Sequence, residues 1–259
     1  MSEFESLRKN LLNPTPKLDN WIIDKLAEPF PESKLKWLPA FGFKGEGKPT
    51  PVLAYVDART VTERLNEVVG AERWTDVYSP VTVETAEYLN SKSKDYAELT
   101  MEQKYGGIPS RFGGIACVLT VVGTQKSDVG VPSYSDQLKG AYSDALKRAG
   151  VKFGIGEYFY RLGTQFAKFD KYNKVVEAPK LPDWAKYTNT AEKADGALHS
   201  MIERVRTSEL PSNVRLSAEQ CISKVYVMGS YNAASSLLDK RMVFECLQGL
   251  LDSEEHNDS

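Results

Sequence analysis

Residues 135–153 read SDQLKGAYSDALKRAGVKF, and the spacing of their apolar side chains predicts a long helix, the most clearly marked in the chain. Leu138, Tyr142, Ala145, Leu146, Ala149 and Phe153 recur at three- and four-residue intervals, as one face of a helix does. Ser133 and Asp136 form an S-x-x-D capping box just ahead of it, and Gly154 supplies a stop. At about 100° per residue, Lys147 lies opposite the apolar stripe. Arg148 and Lys152 are four apart, hence neighbours on one flank, and Lys139 lies on the other. Such cations fit phosphates, whose neutralisation supplies the salt-sensitive part of nucleic-acid affinity. Periodicity alone favours a solvated helix face, with Asp136 and Asp144 diluting the charge.

Toward the N-terminus, residues 21–27 (WIIDKLA) read as a short amphipathic helix stopped ahead of Pro29. Residues 34–37 and 52–56 read as strands around a Gly-, Lys- and Pro-rich turn at 42–51. From Asp57 the spacing becomes helical: Val61, Leu65, Val68 and Val69 make a stripe that Gly70 closes. An extended run follows at 73–85, with Trp74, Val77, Val81 and Val83, and then a polar insert at 90–95. Residues 96–105 alternate, with Leu99, Met101 and Tyr105 against Glu98, Thr100, Glu102 and Lys104, which predicts a half-buried strand. Residues 115–122 are apolar on both faces and read as a central strand. Strands that follow one another with few helices between them predict an antiparallel meander.

Beyond the long helix, residues 158–160 pack locally and 165–176 read as a hairpin turning at 171–173. A Pro-containing linker at 178–183 (APKLPD) precedes a change in pattern, and 191–251 are helical throughout. The expected class is therefore α+β: an antiparallel β-sheet packed against a long helix, plus a small all-helical C-terminal region. The boundaries fall at 1–186, 187–251 and an acidic, disordered tail at 252–259.

Composition narrows the chemistry. Both histidines, His199 and His256, come late, so residues 1–198 contain no imidazole for a Ser–His–Asp, Cys–His or His-ligated metal site. Cys117, Cys221 and Cys246 are far apart and odd in number. No disulfide framework or zinc site is expected from them, which points to a reducing, cytoplasmic setting. No apolar stretch is long enough to span a bilayer, and the start, MSEFESLRKN, does not read as a secretory signal. Net charge is −2, so any nucleic-acid surface must be local. Of the 33 basic and 35 acidic residues, 7 and 11 fall in 187–259, leaving 26 and 24 in the first 186.

Residues 42–49 (GFKGEGKP) match a P-loop up to the lysine, but proline replaces the hydroxyl residue that magnesium needs; a hairpin turn is the expected role. Gly154 and Gly156 end a helix rather than begin one, so C-capping is expected of them. Asp76, Glu84, Glu87, Glu98 and Glu102 are the acids from which a carboxylate- and metal-dependent nuclease would be built, and a solvated strand face is the simpler account of them. No cofactor or metal is expected.

One segment carries a resemblance. Residues 144–156, DALKRAGVKFGIG, resemble the close of the long helix in the Rad52 superfamily of single-strand annealing proteins, nearest the bacterial DdrA-like branch. Residues 54–70 (AYVDARTVTERLNEVVG), the tryptophan four residues later, 127–130 (SDVG) and 181–185 (LPDWA) stand in the family's order, so the resemblance spans about residues 20–186. It implies a sheet packed on a long helix, assembled into a ring-shaped homo-oligomer. Single-stranded DNA would then lie in a positive outer groove, in DNA repair and recombination without catalysis. It places Lys147 and Arg148 on the phosphates. The family's next groove cation falls at Val151, leaving Lys152 offset by one, and another falls at Thr60, next to Arg59. The DNA-binding candidates are thus Lys147, Arg148, Lys152, Arg59 and Lys139. End protection in place of annealing, a nuclease, and an adaptor recruiting a repair partner through the C-terminal helices are the rival readings.

Overall fold

The computed structural model describes residues 16–40, 44–87, 98–106, 108–132, 137–227, 230–232 and 235–255. Its centre is an antiparallel sheet of β3 (Trp74–Glu87), β4 (Ile108–Val121) and β5 (Thr124–Gly130), in that order. β4 is the middle strand, as its apolar run predicts, paired with β3 from Trp74↔Val121 to Glu87↔Ile108 and with β5 from Val121↔Thr124 to Ile115↔Gly130. A two-residue turn joins β4 to β5, with Val122 and Gly123 at φ 47° and 78°. Both lie in the left-handed region that matches the twist of a tight hairpin. On one face Ile115, Cys117, Leu119 and Val121 are buried; on the other, Val77 and Val129 are exposed.

The long helix, α4 (Gln137–Val151), covers the buried face. Its contact with β5 is unusually close. A Cβ added to Gly130 would overlap the Ala141 carbonyl oxygen and the Ala145 amide nitrogen, and would stand 2.9 Å from Ala145 Cα. The helix backbone therefore rests on the strand backbone, with Ala141, Ala145 and Ala149 fully buried between them. This corrects the expected apolar stripe. Leu146 and Phe153 are buried as expected, but Leu138 is 62% exposed and Tyr142 40% exposed. An alanine ridge is what permits the approach, so the larger side chains fall at its border; Tyr142 tilts against Tyr78 at 4.9 Å. The expected capping box at Ser133 and Asp136 lies outside the described residues.

Before β3 come α1 (Asn20–Ala27), β1 (Lys36–Pro39), β2 (Thr50–Tyr55) and α2 (Ala58–Val69). Asp19 and Asp57 cap the two helices through their side chains. Pro29 ends α1 as expected, and the buried Arg64 of α2 satisfies the carbonyls left there. It donates to the carbonyls of Lys25, Leu26, Glu28 and Pro29, and its guanidinium lies 4.3 Å from the centre of the Phe30 ring. β6 (Gln165–Phe169) and β7 (Val175–Glu177) form the expected hairpin and complete a second antiparallel sheet, ordered β1-β2-β6-β7. The end of α4 meets both early helices at glycines: Gly150 lies against Val61, and Gly154, at φ 93°, against Ala27.

The strand expected at 96–105 is also corrected. Met101–Gly106 form a helix, α3. Thr100 Oγ1 accepts from the Gln103 amide while the Gln103 side chain accepts from the Thr100 amide, a reciprocal capping box that overrides the alternation. Residues 88–97, which hold the polar insert, lie outside the described residues.

The C-terminal region comprises α5 (Thr190–Thr207), α6 (Ser212–Ile222), a short hairpin of β8 (Tyr226–Val227) and β9 (Ser230–Tyr231), and α7 (Leu237–Glu255). The tail expected from residue 252 is thus helical as far as Glu255. A second core, including Leu198, Ile202, Val214 and Leu247, joins these helices. Within it Cys221 and Cys246 form a disulfide, with Cα atoms 6.7 Å apart, overturning the reading that the cysteines are too scattered to pair. Packing α6 against α7 closes the 25-residue separation. Their bond removes the cysteine argument for a reducing compartment. The first turn of α7 belongs to the main core through Leu237 and Leu238, and Arg73–Asp239 (2.7 Å) and Arg241–Asp19 (2.8 Å) pin it there. No helix among the described residues is long and apolar enough to cross a membrane.

The close approach at Gly130 makes a direct expectation. Gly130→Ala should lower stability by about 3 kcal/mol or more, because added volume meets backbone that cannot swing aside. Urea unfolding of the full chain measures it; an unchanged midpoint would show that α4 does not bear on the strand there.

Candidate nucleic-acid interface

The last two turns of α4 and the middle of β5 bring cations together. On β5, side chains alternate, so Lys126 and Asp128 both face the helix. Arg148 Nε donates to Asp128 Oδ1 at 3.1 Å, and Lys152 Nζ stands 3.2 Å from Asp128 Oδ2. Lys152 also donates to the Ser127 carbonyl, while Lys126 donates to the Lys152 carbonyl and lies 4.7 Å from the centre of the Phe153 ring. Two cations sharing one carboxylate keep a net positive charge, and the pairing holds them in place. The Arg148 and Lys152 side chains remain about half exposed.

Asp128 is tuned by this company. Burial pulls its carboxyl upward, but the Val129 amide, Arg148 and Lys152 outweigh that and hold it below the usual aspartate range. The Asp128 hydrogen bond in turn raises Arg148, with Asp144 and Tyr160 adding to the effect.

Lys147 takes the other side of the helix. It is half-buried, with its ammonium 5.7 Å from the centre of the Tyr55 ring, within cation–π range. Tyr55 pairs in register with Lys36, and Lys36 bonds Asp57 at 2.9 Å. Asp57 sits far below the usual aspartate range, chiefly through Lys36 and the Thr60 amide. Arg59 is exposed on the first turn of α2 and acts electrostatically on Lys36. The candidates Lys147 and Arg59 thus border one patch, and Arg148 and Lys152 an adjoining one. Lys139 is exposed on the first turn of α4, eight residues and about 12 Å along the axis from Lys147. Sequence reasoning passed over Lys126, Asp128, Tyr55 and Tyr160. Each lies off the helix, on a strand or turn whose facing depends on register.

Other candidate sites fare differently. Residues 44–49 of the P-loop-like segment form a turn that runs into β2, with Gly47 bonded to the Phe169 carbonyl. Asp76 accepts the Tyr78 hydroxyl at 2.7 Å. The side chains of Glu84, Glu87 and Glu102 lie outside the described residues, and among the described ones no three His, Cys, Asp or Glu stand together as a metal site. Burial pushes the Cys117 thiol up to about 11, the state of an inert core cysteine.

The exposed cations thus stand at the end of a helix braced against an antiparallel sheet. Residues 20–177, more than half of the chain and all of both larger sheets and α4, match the family model described as Rad52/22 family double-strand break repair protein, and the chain belongs to that family. It is 31% identical over 198 residues to the single-stranded DNA-binding protein DdrA of Deinococcus radiodurans, an overlap covering 75% of this chain and 81% of that protein. Identity to the protein of the same name from Deinococcus deserti is 29%, over 75% of this chain and 84% of the relative. Both overlaps are longer than residues 20–177, so the likeness is not confined to the family domain. No solved structure matches the chain significantly.

The Asp128 pairing gives a pH expectation. A carboxyl held low in the folded state stabilises it above the unfolded pKa and loses that contribution as pH falls through the folded value. Asp128→Asn should therefore cost stability at pH 7 and nothing once both states are protonated. Melting curves of the two proteins should converge as pH falls through the lowered folded-state pKa of Asp128; a constant difference at every pH would mean that the pair is not what stabilises the strand–helix contact.

Proposed function

We propose that this protein binds single-stranded DNA along the cationic end of α4 and acts in DNA repair by annealing complementary strands or protecting ends, as a ring-shaped oligomer without catalytic chemistry. The observation that carries the reading is the basic end of α4, where Arg148 and Lys152 are held by Asp128 of β5 and Lys147, on the other side of the helix, lies against Tyr55 of β2. Membership of a double-strand break repair family and relatives named single-stranded DNA-binding proteins support it. A chain of net charge −2 can bind DNA through such a cluster, and repetition around a ring multiplies a modest local site. Cations that hold phosphates also leave the bases free to pair, as annealing requires.

Two features favour self-assembly. β3 is an edge strand over 14 residues in its sheet, and β7, with Val175 and Val176 exposed, is an edge of the other. Unpaired edges invite strand pairing. Apolar side chains also stand open on the outer faces: Leu38 opposite Leu53 in one sheet, with Phe166 across from Pro51, and Val77 and Val129 flanking β4 in the other.

The test is annealing of complementary oligonucleotides by purified protein with ATP and metal absent, alongside Lys147→Ala/Arg148→Ala. The double variant should bind single strands weakly, and its log–log salt dependence should flatten by about 0.7 for each phosphate it no longer neutralises. Native mass without DNA should show a closed oligomer of many subunits. Unchanged affinity in the double variant would return α4 to a merely solvated face, and a stable monomer on long strands would remove the ring.

A further inference from the structure

Two exposed aromatics stand on turns that follow α4 and take no part in the core. Tyr160 is 76% exposed and Trp184 51% exposed. Exposed aromatics are ordinary when they are scattered singly; these are neither scattered nor loosely held. Tyr160 projects from the short turn Glu157–Arg161, which Tyr158 and Leu162 anchor from within, the Tyr158 hydroxyl accepting the Phe30 amide at 3.0 Å. Trp184 projects from the turn Asp183–Ala185, fixed by the buried Leu181 and Ala185 on either side. The two turns meet through Arg161, whose guanidinium lies 5.5 Å from the centre of the Trp184 ring. The Glu157–Arg161 turn follows the end of α4 by five residues and packs against β2, whose Tyr55 holds Lys147. Cations and open aromatics therefore follow one another from Lys147 on Tyr55 of β2, through the turn that carries Tyr160 and Arg161, to Trp184.

That succession is what an unpaired strand needs and a duplex cannot use. Phosphates take the cations, while bases stack on aromatic faces, which are sequence-tolerant because every base has a π-face. In a duplex those faces are already stacked on each other. We propose that Tyr160 and Trp184 form a base-stacking subsite for single-stranded nucleic acid, continuous with the phosphate contacts of α4. Stacking occupies the face of a base and leaves its Watson–Crick edge open, so the subsite is compatible with pairing to a second strand. The inference rests on the reading of α4 as the phosphate surface and adds the feature that selects unpaired bases.

The experiment compares two probes of equal length on the full chain: oligothymidylate and the same phosphodiester strand with every base removed. The wild-type protein should prefer oligothymidylate. Tyr160→Ala and Trp184→Ala should each weaken oligothymidylate binding about tenfold, while leaving the base-free strand and the salt dependence unchanged. Tyr160→Phe and Trp184→Phe should keep the affinity, which separates stacking from any structural role. Tyr172→Ala serves as control, since Tyr172 is 71% exposed with Lys171 5.0 Å from its ring but sits in the β6–β7 turn; it should change nothing. Equal loss on both probes, or no loss on oligothymidylate, would overturn the subsite while leaving the phosphate reading intact. Lys147→Ala/Arg148→Ala binding both probes as the wild type does would overturn the phosphate reading, and this inference with it.

Discussion

Everything at the candidate interface depends on how closely α4 lies against β5. Gly130 lets the helix backbone come down onto the strand, and Ala141, Ala145 and Ala149 are small enough to fill the contact. At that separation the last turns of α4 come within reach of Lys126 and Asp128 on the strand. A larger residue at 130 would lift the helix, and Arg148 and Lys152 would lose their shared carboxylate. The same approach carries Gly150 and Gly154 against α2 and α1, so the early helices are referenced to the same contact.

Electrostatics then operate locally. The whole chain is slightly acidic, and α4 itself carries Asp144 among its lysines and arginine. What distinguishes this end is that each cation is placed by a partner that does not cancel it. Tyr55 offers Lys147 a ring face without a negative charge, and Asp128 divides one charge between two cations. Ion pairs of this exposure make only a modest contribution to stability. Their consequence is orientation: the cations stand ready for a strand without first being ordered.

The long helix, the central strand β4 and the β6–β7 hairpin were legible in the sequence because each follows its own period. Lys147, Arg148 and Lys152 follow the same period, but periodicity favours a solvated face for them, and it is the family resemblance that singles out Lys147 and Arg148. Periodicity does not tell which apolar residues lie deepest, and Leu138 and Tyr142 show why: the alanine ridge wins at a glycine contact supplied by a different strand. Lys126 and Asp128 escaped because which face of β5 they share is set by pairing with β4. Residues 96–105 alternate like a strand, yet the T-x-x-Q box at Thr100 and Gln103, visible in the sequence, closes a helix turn by hydrogen bonds. The Cys221–Cys246 bond could not be read at all, since it exists through the packing of α6 on α7.

The central claim is that a single strand runs along the end of α4 that Gly130 and Asp128 hold in place. Determining the structure of the full-length protein bound to oligothymidylate tests it most directly. The account expects phosphates within hydrogen-bond distance of Lys147 and Arg148, with α4 still seated on Gly130. A strand lying on the outer faces of the sheets or along α5–α7, away from the end of α4, would contradict it.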